Sequence, residues 1–129
     1  MKRRAYLQSM LAGALAGTVR AEEKRRPIQL HVDLAVDPAK EQEMLQNFHN
    51  VFRPAASKQP GFVDAKMLKL RSALAGSAPA GANYRFELTF ASEPQRQAWV
   101  ATDTHQRVWP TIEKTLVSKN YNVLLYDET

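Results

Sequence analysis

The 129-residue sequence predicts an α+β fold of the ferredoxin-like split βαβ type, a four-stranded antiparallel sheet with both helices on one face. Three observations carry that reading. Residues 28–36 and 83–91 alternate apolar and polar side chains, the period of a strand with one buried face. Residues 38–57 and 92–116 instead repeat apolar side chains every three or four positions, the period of a helix. The order along the chain is strand, helix, strand, strand, helix, strand, or βαββαβ.

The chain opens with a segment of a different kind. Residues 1–21 start with Lys2, Arg3 and Arg4, continue through the mildly apolar stretch from Met10 to Gly17 and contain no acid, which is the layout of an export signal. Arg3-Arg4-Ala5-Tyr6-Leu7-Gln8 resembles the twin-arginine export motif, with Lys2, Tyr6 and Gln8 departing from its usual residues. Small residues at Val19 and Ala21 place cleavage after Ala21. Residues 22–26 are then a charged lead-in and residues 27–129 the folded domain, exported to the periplasm or the extracellular space and free of the membrane once the signal is cut. Four of the 18 basic residues and none of the 13 acidic ones lie in the leader, leaving 14 against 13. A near-neutral domain gives no electrostatic reason to expect a nucleic-acid partner. Zero cysteine excludes disulfides, thiol catalysis and cysteine-ligated metal.

Within the domain, Ile28, Leu30, Val32, Leu34 and Val36 form the apolar face of the first strand, with His31 and Asp33 together on the other face. That pair reads either as a proton-handling couple or as ordinary polar alternation. Asp37-Pro38 is an N-cap followed by proline at the first helical position. Met44, Leu45, Phe48, Val51, Phe52 and Ala55 make the stripe of the first helix, and Pro54 is expected to bend or end it. Gln59-Pro60-Gly61 is a turn. Residues 62–70 form a second strand whose imperfect alternation calls for a bulge near Met67. Residues 72–82 read as a flexible connection. The third strand presents Tyr84, Phe86, Leu88 and Phe90 on one face.

Ser92 with Gln95 three residues on forms a capping box for the second helix. Ala98, Thr102, His105, Trp109, Ile112 and Leu116 follow the spacing of one buried helical face. Pro110 inside this pattern predicts a break into two or three helical pieces, with Asp103 capping a new turn. Residues 117–127 form the last strand. Leu68, Leu70, Leu124 and Tyr126 lie opposite the better apolar faces of their strands, so the uncovered side of the sheet is too apolar for water and a homodimer is expected.

His105 is the most informative single residue, open to two readings: a core histidine bonded to a carbonyl or to Asp103, or a proton-handling group in a pocket. Trp99 and Trp109 read as core or as a ligand platform. His49 is expected at the surface. The three histidines have neither HxH nor HxxxH spacing, so no metal site is expected. Gly-rich phosphate loops, nucleophile elbows and paired catalytic carboxylates are missing from the sequence.

Gln59-Pro60-Gly61-Phe62 leading into the second strand, Phe90-Ala91-Ser92 leading into a helix with Trp99 and His105, and the element order together resemble the antibiotic biosynthesis monooxygenase domain family of dimeric α/β barrels. The resemblance spans about residues 27–127. It implies a homodimer and oxidation of a small aromatic or quinol-type substrate by oxygen in an apolar pocket, with no cofactor. It further implies His105 as the acid/base or orienting group, with Trp99, Trp109, Tyr84 and Phe86 walling the ring. In the haem-degrading branch of that fold, a helix tryptophan is followed ten positions later by the iron-binding histidine. Here that position is Trp109, and His105 comes at six, which speaks against haem degradation. The alternative, of another class, is a non-catalytic small-molecule-binding or stress-related module that keeps the fold and the pocket.

Overall fold

The computed structural model describes residues 26–129. The expected export signal, and all of the charged lead-in but Arg26, lie outside the described residues. β1 (Ile28–Leu34), β2 (Phe62–Lys69), β3 (Tyr84–Phe90) and β4 (Asn122–Asp127) form one antiparallel sheet in the order β2-β3-β1-β4, with the helices packed on one face. This is the ferredoxin-like arrangement read from the sequence. No helix among the described residues is long and apolar enough to cross a membrane.

The first helical rod is continuous but not uniform. Asp37 caps a 3-10 turn, Pro38–Lys40, with its Oδ1 accepting from the Ala39 N–H at 2.9 Å. It runs into α1 (Glu41–Asn47), a π segment over Phe48–Phe52, and α2 (Arg53–Ser57). Pro54 therefore does not end the helix. A proline ring clashes with the carbonyl four residues back, and the wider π turn, in which Arg53 N–H bonds the carbonyl of Phe48, relieves that clash one residue earlier. The extra residue also shifts the helical phase: Val51, expected in the stripe, is exposed, and Ala56 is buried more deeply than Ala55.

Gly61 explains the Gln-Pro-Gly turn. Its φ is +86°, and a Cβ there would run into the Gln95 side chain. The bulge of β2 sits at Val63, between Phe62 and Asp64, rather than near Met67. Val63 is the skipped residue and faces solvent, while Phe62, Ala65 and Met67 stay in phase with Phe90, Leu88 and Phe86 on β3. The connection after β2 contains one 3-10 turn, Pro79–Gly81.

The second helical stretch breaks where a cap is available, and not at its proline. α3 (Glu93–Val100) and α4 (Asp103–Glu113) part at Ala101-Thr102, and the N-cap of α4 is Thr102 rather than Asp103. α4 runs through Pro110. Both Pro110 and Gln106, whose carbonyl goes without its helical donor, lie on the solvent side, where water serves instead. The break resets the phase: Trp99, Val108 and Ile112 are the buried residues, whereas Ala98 is exposed and His105 and Trp109 are half-buried. The last strand starts at Asn122, five residues later than its apolar pattern, because Val117 to Tyr121 form the approach to the sheet.

Phe52 sits at the centre of the core. Its ring lies 5.2 Å from Phe86, 6.2 Å from Phe48 and 5.9 Å from each tryptophan, mostly edge to face. Truncating so large a buried ring leaves a cavity that this interlocked cluster cannot close. Phe52→Ala is expected to cost about 3–5 kcal/mol in denaturant unfolding. Val51→Ala, one residue away but 39% exposed, is expected to cost below about 1 kcal/mol.

Candidate functional site

A cavity of about 190 Å³ lies between the helix-covered face of the sheet and the α3–α4 break. Leu30 and Val32 of β1 with Phe86 and Leu88 of β3 form its floor, Phe52, Trp99, Val100 and Trp109 its apolar walls, and Tyr121 and Val123 its side at the β4 edge. His105, Arg96 and Tyr121 are the charged or titratable residues on it. A hollow of this size with mostly apolar walls holds one aromatic ring.

The break between the helices places the polar atoms. Thr102 Oγ1 accepts from the His105 N–H at 3.0 Å and donates to the Trp99 carbonyl at 2.7 Å, so one hydroxyl joins the end of α3 to the start of α4. The imidazole of His105 then stands edge-on to the Trp99 indole, centroids 5.1 Å apart and planes at 89°. Trp99 Nε1 and His105 Nδ1 are both buried, and neither has a hydrogen-bond partner. A buried, unpaired polar group costs about 1–3 kcal/mol, and both of these belong to residues of the cavity wall. The expectation that His105 bonds a carbonyl or Asp103 is not met at Nδ1.

Burial holds the His105 pKa below the usual histidine range, with the nearby Arg96 guanidinium adding to the effect. Arg96 itself is committed: Glu93 takes its Nε and Nη2 at 2.6 Å each, which lowers the carboxyl's pKa and raises that of the guanidinium. On the far side, Trp109 Nε1 donates to Tyr121 Oη at 3.1 Å, and Tyr121 donates to Glu113 at 2.8 Å. Burial, then the Glu113 bond, pushes the Tyr121 phenol up. Among the described residues, the buried side-chain nitrogens without a partner are Trp99 Nε1 and His105 Nδ1.

Of the residues expected to line a pocket, Trp99, Trp109, Phe86 and His105 come together here, and the others do not. Tyr84 is buried at the far end of β3, where its hydroxyl donates to Glu41 at 2.5 Å beside Lys69; burial and that carboxylate push its pKa up to about 12. His31 and Asp33 face the opposite side of the sheet and do not form a couple. His31 Nε2 pairs with Gln29 at 2.9 Å and its ring lies against Tyr126, while Asp33 accepts from Arg85 Nε at 3.0 Å. A larger open cleft of about 410 Å³ lies under the 70–82 connection, but its Asp33 and Lys69 are already in ion pairs. Among the described residues no group of three or more histidine, aspartate or glutamate side chains could hold a metal ion. Arg96 and Tyr121 went unnoticed in the sequence. The Glu93-to-Arg96 spacing is visible there, but its position beside His105 needs the helix break.

No protein-family model matches the chain, and no curated protein matches it in sequence. Solved structures do match in fold. A dimeric ferredoxin-like protein of unknown function from Jannaschia sp. CCS1 shares 16% identity over 80% of this chain and 98% of its own, with a TM-score of 0.63. SnoaB, a cofactor-independent oxygenase from Streptomyces nogalater, shares 13% identity over 78% and 90%, with a TM-score of 0.60. An antibiotic biosynthesis monooxygenase shares 12% identity over 79% and 98%, with a TM-score of 0.61. The chain is similar in fold to proteins of that type at low sequence identity.

The depressed His105 pKa gives a signed pH dependence. The folded state holds this proton less tightly than the unfolded chain, so its contribution is neutral above the unfolded value of about 6.5 and turns destabilising as the pH falls through it. The urea midpoint is expected to drop between pH 7.5 and 5.5, and His105→Gln is expected to flatten that drop. An unchanged slope in the variant contradicts the burial of a neutral imidazole.

Proposed function

We propose that this protein oxidises a small electron-rich aromatic, of phenol or quinol type, with molecular oxygen and no cofactor, in the cavity between Trp99 and His105. The observation that carries the reading is a ring-sized, mostly apolar cavity whose wall residues Trp99 and His105 each hold a buried nitrogen with no partner. Trp99 Nε1 donates to the ring oxygen, and His105 Nδ1, neutral near pH 7 with its proton on Nε2, accepts the proton that leaves the substrate. Deprotonation raises the ring's electron density, and oxygen then takes its electrons. With a phenol, the ring C–H para to the hydroxyl becomes C=O in a four-electron step: one oxygen atom of O₂ stays in the quinone product, and the other leaves as water with the ring hydrogen and the hydroxyl proton. A quinol gives two electrons and two protons to O₂, leaving quinone and hydrogen peroxide. The apolar walls strip part of the water from the bound anion, which favours its reaction with oxygen. Its fold neighbours include a cofactor-independent oxygenase, which supports the reading.

The same reading makes the working unit an exported homodimer. The leader residues 1–21 carry the export part, and the exposed Leu68, Leu70, Leu124 and Tyr126 carry the dimer part. One observation favours a second reading, a binding module without turnover: among the described residues no side chain or carbonyl hydrogen-bonds the His105 ring to orient it, as one usually does for a dedicated general base.

Oxygen uptake with methylhydroquinone and larger phenols separates the two. Turnover by the protein above the autoxidation background, reduced at least about 100-fold in His105→Ala, is the expected result. Trp99→Phe, which removes one hydrogen bond and keeps the ring, is expected to raise KM up to about tenfold. Binding without uptake favours the module. Uptake unaffected by His105→Ala removes that residue from the chemistry.

A further inference from the structure

We infer that the cavity takes an aromatic acid, a hydroxybenzoate whose carboxylate is held by Arg96 while its hydroxyl meets Trp99 and His105. The inference rests on the ligand site of the reading above and narrows its substrate class, from any small phenol to one that carries an anion close to the hydroxyl. Arg96 is the one arginine or lysine among the residues lining the cavity, and no aspartate or glutamate lines it. α3 sets Arg96 three residues before Trp99 and four before Val100, so the three share one side of that helix. His105, at the start of α4, feels the same guanidinium, whose charge adds to burial in lowering its proton affinity.

Glu93 takes Arg96 Nε and Nη2 at 2.6 Å each, which fixes the plane of the guanidinium and turns Nη1 away from that carboxylate. Among the described residues Nη1 has no hydrogen-bond partner. A fork already held along one edge gives up little freedom when its remaining N–H groups meet a ligand oxygen. Glu93 also cancels the long-range charge of Arg96, so the gain is a short, directional, charge-assisted hydrogen bond rather than steering from a distance. The Arg96 side chain keeps 17% exposure, and an anion on it stays partly hydrated, which lowers the cost of taking it out of water. The other end of the cavity offers no such place. Trp109 Nε1 is spent on Tyr121, and the Tyr121 hydroxyl donates to the Glu113 carboxylate, which would repel a second anion. Because Arg96 and Trp99 are one helical turn apart on the same side, the hydroxyl and carboxylate leave neighbouring positions of the ring and not its opposite ends, as in 3-hydroxybenzoate.

Calorimetric titration of the full chain at pH 7.5 compares 3-hydroxybenzoate with 3-methylphenol, an uncharged ring of similar size. The acid is expected to bind at least about tenfold more tightly, the worth of one charge-assisted hydrogen bond. Arg96→Met alone would leave the Glu93 carboxylate unpaired and repelling the acid, so the variant to use is Arg96→Met combined with Glu93→Gln. It is expected to hold 3-methylphenol as the unsubstituted protein does, which shows the cavity intact, and to lose at least about tenfold in affinity for the acid. The unsubstituted protein binding 3-methylphenol as tightly as the acid overturns the inference and leaves the phenol site standing. A double variant that keeps its preference for the acid does the same. Failure of the unsubstituted protein to bind either ligand overturns the inference together with the reading it rests on.

Discussion

One hydroxyl sets the geometry on which the candidate site depends. Thr102 Oγ1 accepts from His105 N–H and donates to the Trp99 carbonyl, so it ends one helix and starts the next within a single residue. Without that break, residues 93–113 would form one rod, in which Trp99 and His105, six apart, would point to different sides of the helix. With it, the indole and the imidazole meet edge to face over an apolar hollow, each keeping a nitrogen unpaired. Packing from below fixes the same arrangement, because Phe52 touches both tryptophans and Phe86.

The two faces of the sheet do different work. The helix-covered face supplies the core and the floor of the cavity, through Leu30, Val32, Phe86 and Leu88. The open face mixes paired charges with exposed apolar corners, a composition suited to meeting another surface and poorly suited to water. Asp33 and Arg85 serve that second face: their ion pair neutralises a nearly buried carboxylate in the middle of the sheet. The polar chemistry of the candidate site is thus confined to the helix side.

Much of the fold is legible in the sequence because its signals are local. The alternation in β1 and β3, the Asp37 and Ser92 caps and the Gly61 turn each follow from residues within a few positions of one another. The features that escape are those in which two local rules compete. Pro54 breaks an ordinary helix but is accommodated by a π turn when Phe48 and Phe52 must both stay in the core. Pro110 is a stronger breaker on paper than Thr102, yet its missing bond falls on the solvent side and costs little. Val63 rather than Met67 is skipped because Phe62 must align with Phe90. The site is legible only in part for the same reason. His105, Trp99, Trp109 and Phe86 stand out by type, whereas Arg96 and Tyr121 acquire meaning only from the break; Tyr84 and Asp33 are drawn off by partners distant in sequence, and His31 by its neighbour Gln29 on the open face.

The claim that the cavity is a ligand site turns on the free indole N–H of Trp99. The direct measurement is a two-dimensional ¹H–¹⁵N spectrum of the two tryptophan side chains during titration with 4-methylphenol. Trp109, already bonded to Tyr121, is expected to move little. The Trp99 resonance is expected to shift downfield along a saturable curve as its N–H gains an oxygen acceptor. Two indole signals that stay in place to the solubility limit of the phenol would contradict the account, leaving Trp99 and His105 as core residues whose nitrogens serve no ligand.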